Sequence, residues 1–256
     1  MNENRVLTID NLTTTFKSHK QKIQAVRGVS LYVKEGDILA IVGESGSGKS
    51  TVMKLCARFY DPQKGRVFFG DLPMDKINPE SLMSHISMVF QDVYLFQDTV
   101  RNNIRFGKAG ATDDEIIVAA QKACCHDFIM QLPQGYDTMI GEGGCTLSGG
   151  EKQRISIARA VLKDAQVILL DEATASLDPE NEVEMQKAID TLIKGRTVIT
   201  IAHKLKTIMD GIYEEFYLIT QLKREYELLF SFQLFLIGLK YEQMRKNIIL
   251  QNILTL

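Results

Sequence analysis

The chain has 256 residues, of which 45% are hydrophobic, so it can bury a large core and is not an intrinsically disordered protein. Its 30 Lys and Arg residues against 32 Asp and Glu residues give a formal net charge of -2, which disfavours nucleic acid as the main partner. The 4 cysteines lack metal-ligand spacing and are typical of the reduced thiols of a cytoplasmic protein.

Neither the start of the chain nor its most apolar window has the character of a targeting or membrane-spanning segment. Residues Met1–Asp10 are polar and mixed in charge, unlike a signal peptide. The most apolar window, Leu228–Leu239, contains Ser231 and Gln233 and is shorter than the about 20 residues that a membrane-spanning helix needs. We therefore expect a soluble chain, or one attached to a membrane through a partner.

The first part of the chain predicts strands at residues 5–9 and 25–33, separated by a polar loop at 17–24. The apolar run at 38–42 predicts a further strand, which leads into a glycine-rich turn and then a helix. The turn contains the P-loop pattern, in which backbone N–H groups and a helix N-terminus bind phosphate, the Lys reaches the terminal phosphates and the Ser binds magnesium. The residues of this predicted phosphate site are Gly43, Ser45, Gly46, Ser47, Gly48, Lys49 and Ser50.

The middle of the chain changes from strands to helices. Asn78 and Pro79 predict a helix start, and Ile86–Phe90 predicts a strand that ends at Gln91. Residues 99–134 then have a helical pattern, which interrupts the alternation of strands and helices. We interpret residues from about 92 to 163 as an α-helical subdomain inserted into an α/β core.

The core resumes with two apolar strands, at residues 166–170 and 197–202. Continuous apolar runs are typical of parallel strands covered on both faces, so the sequence predicts an α/β fold with a parallel sheet. Ligands of such sheets bind at the carboxyl ends of the strands, where polar groups are expected to converge on one nucleotide. Those groups are Gly43, Gln91, Asp171 and His203.

The polar groups at these strand ends suit different chemical roles. Asp171 is predicted to hold Mg²⁺, and the adjacent Glu172 to polarise the attacking water. Gln91 can contact both the metal and the water through its amide. His203 can donate a hydrogen bond to a γ-phosphate oxygen.

A second phosphate-binding pattern lies at residues 147–154. Ser148 and Glu151 predict a capping box at a helix start, but the capping box does not explain Gly149 and Gly150. A helix N-terminus with a Ser hydroxyl is a phosphate site, yet one nucleotide cannot easily need both sites on a single chain.

Together these motifs resemble the nucleotide-binding domain of ATP-binding cassette transporters. In their family order, the matching motifs are Walker A at Gly43–Thr51, the Q-loop at Gln91, the signature at Leu147–Glu151, Walker B at Val167–Asp171 with Glu172, the D-loop ending at Asp178, and the H-loop at His203. The sequence around Gln91 is similar to that of the exporter branch of this family.

The resemblance implies an ATP- and magnesium-dependent ATPase on the cytoplasmic face of a membrane, working through a transmembrane domain. It implies a head-to-tail dimer with a second nucleotide-binding domain, identical or different, in which the signature of one subunit covers the γ-phosphate held by the other. Magnesium would be bound by Ser50, Gln91 and Asp171, and Phe16 occupies the place of the family's adenine-stacking aromatic. The transmembrane domain would be a separate subunit or part of a longer chain.

The resemblance covers roughly residues 5–209, and we interpret residues 1–209 as the ATPase domain, with an N-terminal antiparallel β subdomain. From about Asp210 the family pattern stops, and we interpret 210–256 as an atypical tail, such as a frame-shifted replacement of the domain's C-terminal end. Such a replacement is expected to remove the last strands of the core sheet. The predicted function is ATP-driven export; the alternatives are a soluble cassette ATPase not coupled to transport, and a truncated product that binds ATP without turnover.

Overall fold

The structure is a computed structural model that describes residues 4–18, 21–43, 46–141, 145–171, 179–202, 216–220 and 249–252. Its strands, in chain order, are β1 Arg5–Ser18, β2 Gln21–Lys34, β3 Ile38–Val42, β4 Lys64–Phe69, β5 Leu72–Pro73, β6 Ile86–Val89, β7 Asp98–Thr99, β8 Met139–Ile140, β9 Val167–Asp171, β10 Thr197–Ala202, β11 Phe216–Thr220 and β12 Ile249–Asn252. Its α-helices are α1 Lys49–Cys56, α2 Pro79–His85, α3 Val100–Arg105, α4 Asp113–Lys122, α5 His126–Gln131, α6 Gly149–Lys163 and α7 Pro179–Ile193.

The chain divides into two compact units. The first comprises residues 1–77 and 199–256, and the second comprises residues 78–198. The helical segment predicted at about 92–163 falls inside the second unit, while its limits and the division at residue 209 stay predictions. Among the helices of the described residues, none is both long and apolar enough to cross a membrane.

An antiparallel sheet with the strand order β2-β1-β4-β5 belongs to the first unit. Strand β1 alternates between its two faces, so that Leu7 and Ile9 are buried and Thr8 between them is partly exposed. This pattern is typical of a sheet with one face on a core. The predicted antiparallel β subdomain is therefore confirmed.

Strands β1 and β2 are longer than the sequence predicts. Instead of a polar loop over residues 17–24, the two strands pair as far as Ser18 opposite Gln21, and a register shift lies between Thr14 and Thr15. Hydrophobic alternation marks only the part of a strand that covers a core, whereas backbone pairing continues into the polar, exposed end. The predicted loop therefore forms the outer end of a hairpin.

Among the described residues, the second sheet has six strands, in the order β12-β11-β3-β10-β9-β6. Strands β6 and β9 pair in parallel, with Ile86 opposite Val167 and Val89 opposite Leu170. All four residues are buried, as expected for strands covered on both faces. These features confirm the predicted α/β fold with a parallel sheet.

Two strands of the C-terminal tail also lie in this sheet. Strand β11 pairs in parallel with β3, from Phe216 opposite Ile38 to Thr220 opposite Val42, and β12 pairs with β11. The expectation that the sheet lacks its last strands is therefore wrong, because the backbone of the tail supplies β11 and β12. Pairing with β3 requires only an extended segment with free N–H and C=O groups, so it does not depend on the family's sequence pattern. The frame-shift origin of the tail stays a hypothesis.

The starts of helices α2 and α4 follow the capping signals in the sequence. The Asn78 side chain accepts from the backbone N–H groups of Glu80 and Ser81 at the start of α2, with Pro79 as its first residue. Thr112 and Glu115 form a capping box at α4. A side-chain oxygen at the N-cap stabilises a helix by about 1 kcal/mol. Both predicted helix starts are confirmed.

The reactivity of the cysteines tests the burial of residues in each of the two units. Cys56 and Cys125 are fully buried, and burial raises the pKa of Cys56 to about 12 and raises the pKa of Cys125 as well. Because a raised pKa moves thiolate formation to higher pH, both thiols stay protonated at pH 8 and alkylate slowly. We expect iodoacetamide at pH 8 to modify the partly exposed Cys145 first in the folded protein. Peptide mass spectrometry measures this order; fast labelling of Cys56 without denaturant would contradict it.

Candidate functional site

The predicted phosphate loop connects β3 to α1 within the first unit. Gly48 is the N-cap residue of α1 and has a φ of 92°, a conformation that side chains with a Cβ rarely adopt. A Cβ on Gly48 would also collide with the carbonyl oxygen of Ala25 in β2. The glycine is therefore required twice, by its own backbone conformation and by the close approach of the loop to a neighbouring strand.

Helix α1 begins without a side chain as its cap. The N-cap position is a glycine, and the structure shows no side-chain hydrogen bond at this cap among the described residues. By contrast, side-chain oxygens of Asn78, Thr99 and Thr112 cap the helices that follow them. The first N–H groups of a helix carry its partial positive charge, so the start of α1 has the electrostatic character that attracts an anion.

Lys49, the first residue of α1, brings its ammonium group back over the loop. Its side chain is 7% exposed, and Nζ donates to the carbonyl oxygen of Gly43 at 2.5 Å. The same nitrogen lies 3.4 Å from the hydroxyl oxygen of Ser47. The loop thus holds a positive charge beside the helix N-terminus, where the oxygens of a phosphate would find charge-assisted donors.

Phe16 lies at the outer end of β1, with 43% of its surface exposed. Its ring packs edge to face against Tyr60, with centroids 5.7 Å apart. Tyr60, in the turn after α1, does not feature among the predicted site residues. An aromatic in a polar turn gives no local signal of such a contact, because its partner lies 44 positions earlier in the chain.

In the second unit, Gln91 follows β6 and is exposed. The carbonyl oxygen of the preceding Phe90 accepts a hydrogen bond of 3.0 Å from the Gln153 side chain on α6. Gln153 itself is buried. The helix that begins at the predicted signature therefore fixes the backbone from which Gln91 projects, a link that the sequence does not reveal.

The signature region begins α6 as predicted, with a complete capping box. Ser148 Oγ accepts from the backbone N–H of Glu151 at 3.3 Å, and the Glu151 carboxylate accepts from the N–H of Ser148 at 2.7 Å. A serine hydroxyl that accepts a hydrogen bond keeps its own proton to donate. Apart from the neighbouring residues and the backbone of α6 itself, no described atom lies within 4 Å of the position that a Cβ would take on Gly149, so the described packing of this chain does not require that glycine.

Asp171 is the last residue of β9 and is partly exposed, whereas the four residues before it are buried. The strand therefore places a carboxylate where its apolar run ends, as the sequence predicts. Four further predicted site residues lie outside the described residues: Ser45, Glu172, Asp178 and His203.

Arg159 on α6 is a structural residue that no local sequence pattern predicts. Its guanidinium donates to the Asn103 backbone oxygen at 2.7 Å, the Asn103 side-chain oxygen at 2.6 Å and the Tyr94 backbone oxygen at 2.7 Å. It also lies 5.6 Å from the ring centroid of Phe96. Burial lowers the pKa of Arg159 to about 10, and its three acceptors offset that cost. Arg159 thus holds the segment after Gln91 against the signature helix.

A buried strand, a glycine loop and an uncapped helix with a lysine at its start define a P-loop nucleotide-binding protein. The comparisons with known proteins make this class more specific. The family model described as ABC transporter matches residues 26–175. The chain belongs to the ABC transporter family.

Individual relatives agree with this assignment. The chain is 51% identical over 186 residues to an ATP-dependent lipid A-core flippase of Syntrophus aciditrophicus (strain SB), covering 73% of this chain and 31% of that protein. It is 48% identical over 188 residues to the beta-(1-->2)glucan export ATP-binding/permease protein NdvA of Bartonella bacilliformis, covering 73% of this chain and 32% of that protein. The chain therefore spans about a third of the length of these curated relatives.

A solved structure agrees as well. The chain is similar to the structure of a bacterial Atm1-family ABC exporter with ATP bound, with a TM-score of 0.77 and 36% sequence identity. The match covers 96% of this chain and 43% of the exporter chain. The arrangement of elements is thus that of an ABC exporter's nucleotide-binding domain.

The fit of Gly48 can be tested by comparing two glycine substitutions. Gly48→Ala is expected to lower the free energy of unfolding by at least about 2–3 kcal/mol, since it adds a collision with Ala25 to the strain of positive φ. The control is Gly46→Ala, at φ 79° with no described atom within 4 Å of the added methyl, which should cost only about 1–2 kcal/mol. Urea unfolding measures both values; equal losses would contradict the close approach.

Proposed function

We propose that this chain is the ATP-binding and hydrolysing subunit that powers export of a substrate across a membrane through an associated transmembrane domain. The observation that carries the proposal is the phosphate loop. There the start of α1, which has no side-chain cap, lies beside the ammonium group of Lys49. Membership in the ABC transporter family supports ATP as the ligand. The names of the relatives, a flippase and an export permease, support export as the process.

The nucleotide would be held mainly by the first unit. The loop residues Gly46–Gly48 and the first N–H groups of α1 would bind the phosphates, with Lys49 neutralising the terminal ones. Thr51 extends this set by one helical position, and Phe16 would stack on the adenine. Ser45 belongs to the proposed loop site by its sequence position.

Magnesium is proposed as the metal of this site. The residues proposed to hold it, Ser50, Gln91 and Asp171, offer a hydroxyl, an amide oxygen and a carboxylate. Hard oxygen donors of these kinds are the ligands that Mg²⁺ prefers, so the residues fit the metal. When bound, magnesium would neutralise charge on the β- and γ-phosphates during hydrolysis.

The hydrolytic step is assigned to Glu172, Gln91 and His203. Glu172 would accept a proton from the attacking water, Gln91 would orient that water, and His203 would donate a hydrogen bond to the γ-phosphate. These roles rest on sequence position and on the family.

A second nucleotide-binding domain is proposed as the partner of the signature. Two features support contact with a ligand held by another subunit: the space beside Gly149, where a Cβ would meet no other described part of this chain, and the remaining O–H donor of Ser148. Gly150, Glu151 and Asp178 would complete that surface. The assembly would lie on the cytoplasmic face of a membrane, bound through the transmembrane domain.

Replacement of the loop lysine tests ATP binding. Lys49→Ala is expected to abolish detectable binding of Mg·ATP, because the loss of a charge-assisted hydrogen bond of about 1.5–3 kcal/mol already weakens affinity about ten- to a hundredfold. Titration calorimetry measures the affinity. Lys54→Ala, on the exposed side of the same helix, is the control and should bind like the unmodified protein. Unchanged Mg·ATP affinity in the Lys49 variant would contradict the assignment of the loop as the phosphate-binding site.

Replacement of the proposed catalytic carboxylate tests hydrolysis separately. Glu172→Gln should keep ATP affinity, lower turnover by at least about a hundredfold and accumulate a dimer in the presence of ATP, since its amide cannot take up a proton. Phosphate release and size-exclusion chromatography measure the two effects. Glu182→Gln, on an exposed part of α7, serves as the control for a lost negative charge. Normal turnover by the Glu172 variant would remove that residue from the catalytic role.

A further inference from the structure

We propose that Tyr60 is a positioning residue for nucleotide binding: it holds the ring of Phe16 in place so that the base can stack on it. This inference rests on the proposed function, in which the phosphate loop binds ATP and Phe16 contacts the adenine. The residues involved are all in the first unit, and their contacts link the loop, the turn after α1 and the outer end of β1.

The Phe16 ring has little support from the core. It is 43% exposed, and Ile23, its partner across the β1–β2 hairpin, is 55% exposed. The contact with Tyr60 has an interplanar angle of 83°, so the rings meet edge to face. Such a contact engages at most one face of Phe16, which leaves the opposite face available for stacking.

The turn that carries Tyr60 makes a second contact with β1. The Gln63 side-chain oxygen accepts a hydrogen bond of 2.5 Å from the backbone N–H of Thr15, next to Phe16. Arg58, at the start of this turn, donates to the carbonyl oxygens of Met74 and Ile77 at 2.6 and 2.7 Å. The turn is therefore tied both to the end of β1 and to the chain that follows β5, which gives Tyr60 a defined position.

Tyr60 is also connected to the phosphate loop. Its phenol lies close enough to the side chain of Thr51, the residue after Ser50 in α1, for Thr51 to lower the pKa of Tyr60 against the larger, raising effect of burial. Burial is the main cause that raises the pKa of Tyr60, so its phenol stays protonated at neutral pH. One side chain thus contacts both the helix that begins at the phosphate loop and the ring at the end of β1.

The strand register places Phe16 beside the loop. Gly48 packs against Ala25, and the next residue, Val26, is paired with Thr14 in β1. Phe16 lies two residues beyond Thr14, which corresponds to about 7 Å along a strand. A nucleotide with its phosphates on the loop can therefore extend its base towards Phe16, whose orientation Tyr60 fixes without touching the base.

The test compares ATP with a ligand that has phosphates but no base. Tyr60→Leu is expected to weaken Mg·ATP binding about three- to tenfold, the size of a lost aromatic contact, and to leave binding of magnesium tripolyphosphate unchanged. Tyr60→Phe keeps the ring and should stay within about twofold of the unmodified protein for ATP. Phe59→Ala, which removes the neighbouring half-exposed aromatic, is the control and should bind both ligands normally.

A double substitution separates positioning from direct contact. If Tyr60 acts through Phe16, then Tyr60→Leu added to Phe16→Leu produces no further loss of ATP affinity. Additive losses of ATP affinity in the double variant would overturn the inference about Tyr60. Equal weakening of ATP and tripolyphosphate binding by Tyr60→Leu would also overturn it, as would ATP affinities that stay unchanged in both Tyr60→Leu and Tyr60→Phe. None of these three outcomes would contradict the proposed function. Failure of the unmodified protein to bind ATP would overturn the proposed function together with the inference.

Discussion

The phosphate loop depends on one close contact between two backbones, that of Gly48 with the carbonyl group of Ala25. Because Gly48 has no side chain, the start of α1 can lie directly against β2. This contact determines where the first N–H groups of the helix lie relative to the β1–β2 hairpin. The hairpin register then determines which residues of β1 stand beside the loop, so a local steric constraint extends to Phe16 at the end of the strand.

Helix α6 has a corresponding role in the second unit. Its side chains donate to backbone oxygens of segments 56–77 positions earlier in the chain: Gln153 to Phe90, Arg159 to Asn103 and Tyr94, and Lys163 to Ile86. Each bond supplies a donor to a carbonyl group in the last turn of a helix, in an irregular segment or at a strand end, where buried acceptors would otherwise cost free energy. The helix that begins with the signature therefore organises the strand and loop around Gln91.

The same helix is tied to α7. Arg154 is 3% exposed, forms an ion pair of 2.9 Å with Glu184 and lies 5.2 Å from the ring centroid of Phe128. A buried guanidinium is retained only when carboxylate and aromatic groups compensate for its desolvation. Since α7 begins at Pro179, directly after the D-loop, this pair joins the two helices that follow the signature and the D-loop in sequence.

The sequence predicted the features whose signals are local. The P-loop pattern, the capping boxes and the apolar parallel strands each occupy a few consecutive residues, and their chemistry follows from residue type and spacing. It did not predict Tyr60, Gln153 or Arg159, because their contacts join residues 44 or more positions apart and depend on how the elements pack. Nor could it place β11, since backbone pairing with β3 needs no particular side chains.

The two helix starts of the proposed nucleotide site differ in their electrostatics. At α1 the cap is a glycine and a lysine follows it, so both the helix dipole and a full positive charge attract phosphate. At α6 the Glu151 carboxylate occupies the N-terminal turn and binds the N–H of Ser148, which reduces the attraction for an anion. A free nucleotide should therefore bind first at α1. In the proposed dimer, the α6 start would then contribute only short-range donors, from Ser148 and the glycines, to a phosphate that a partner's loop already holds.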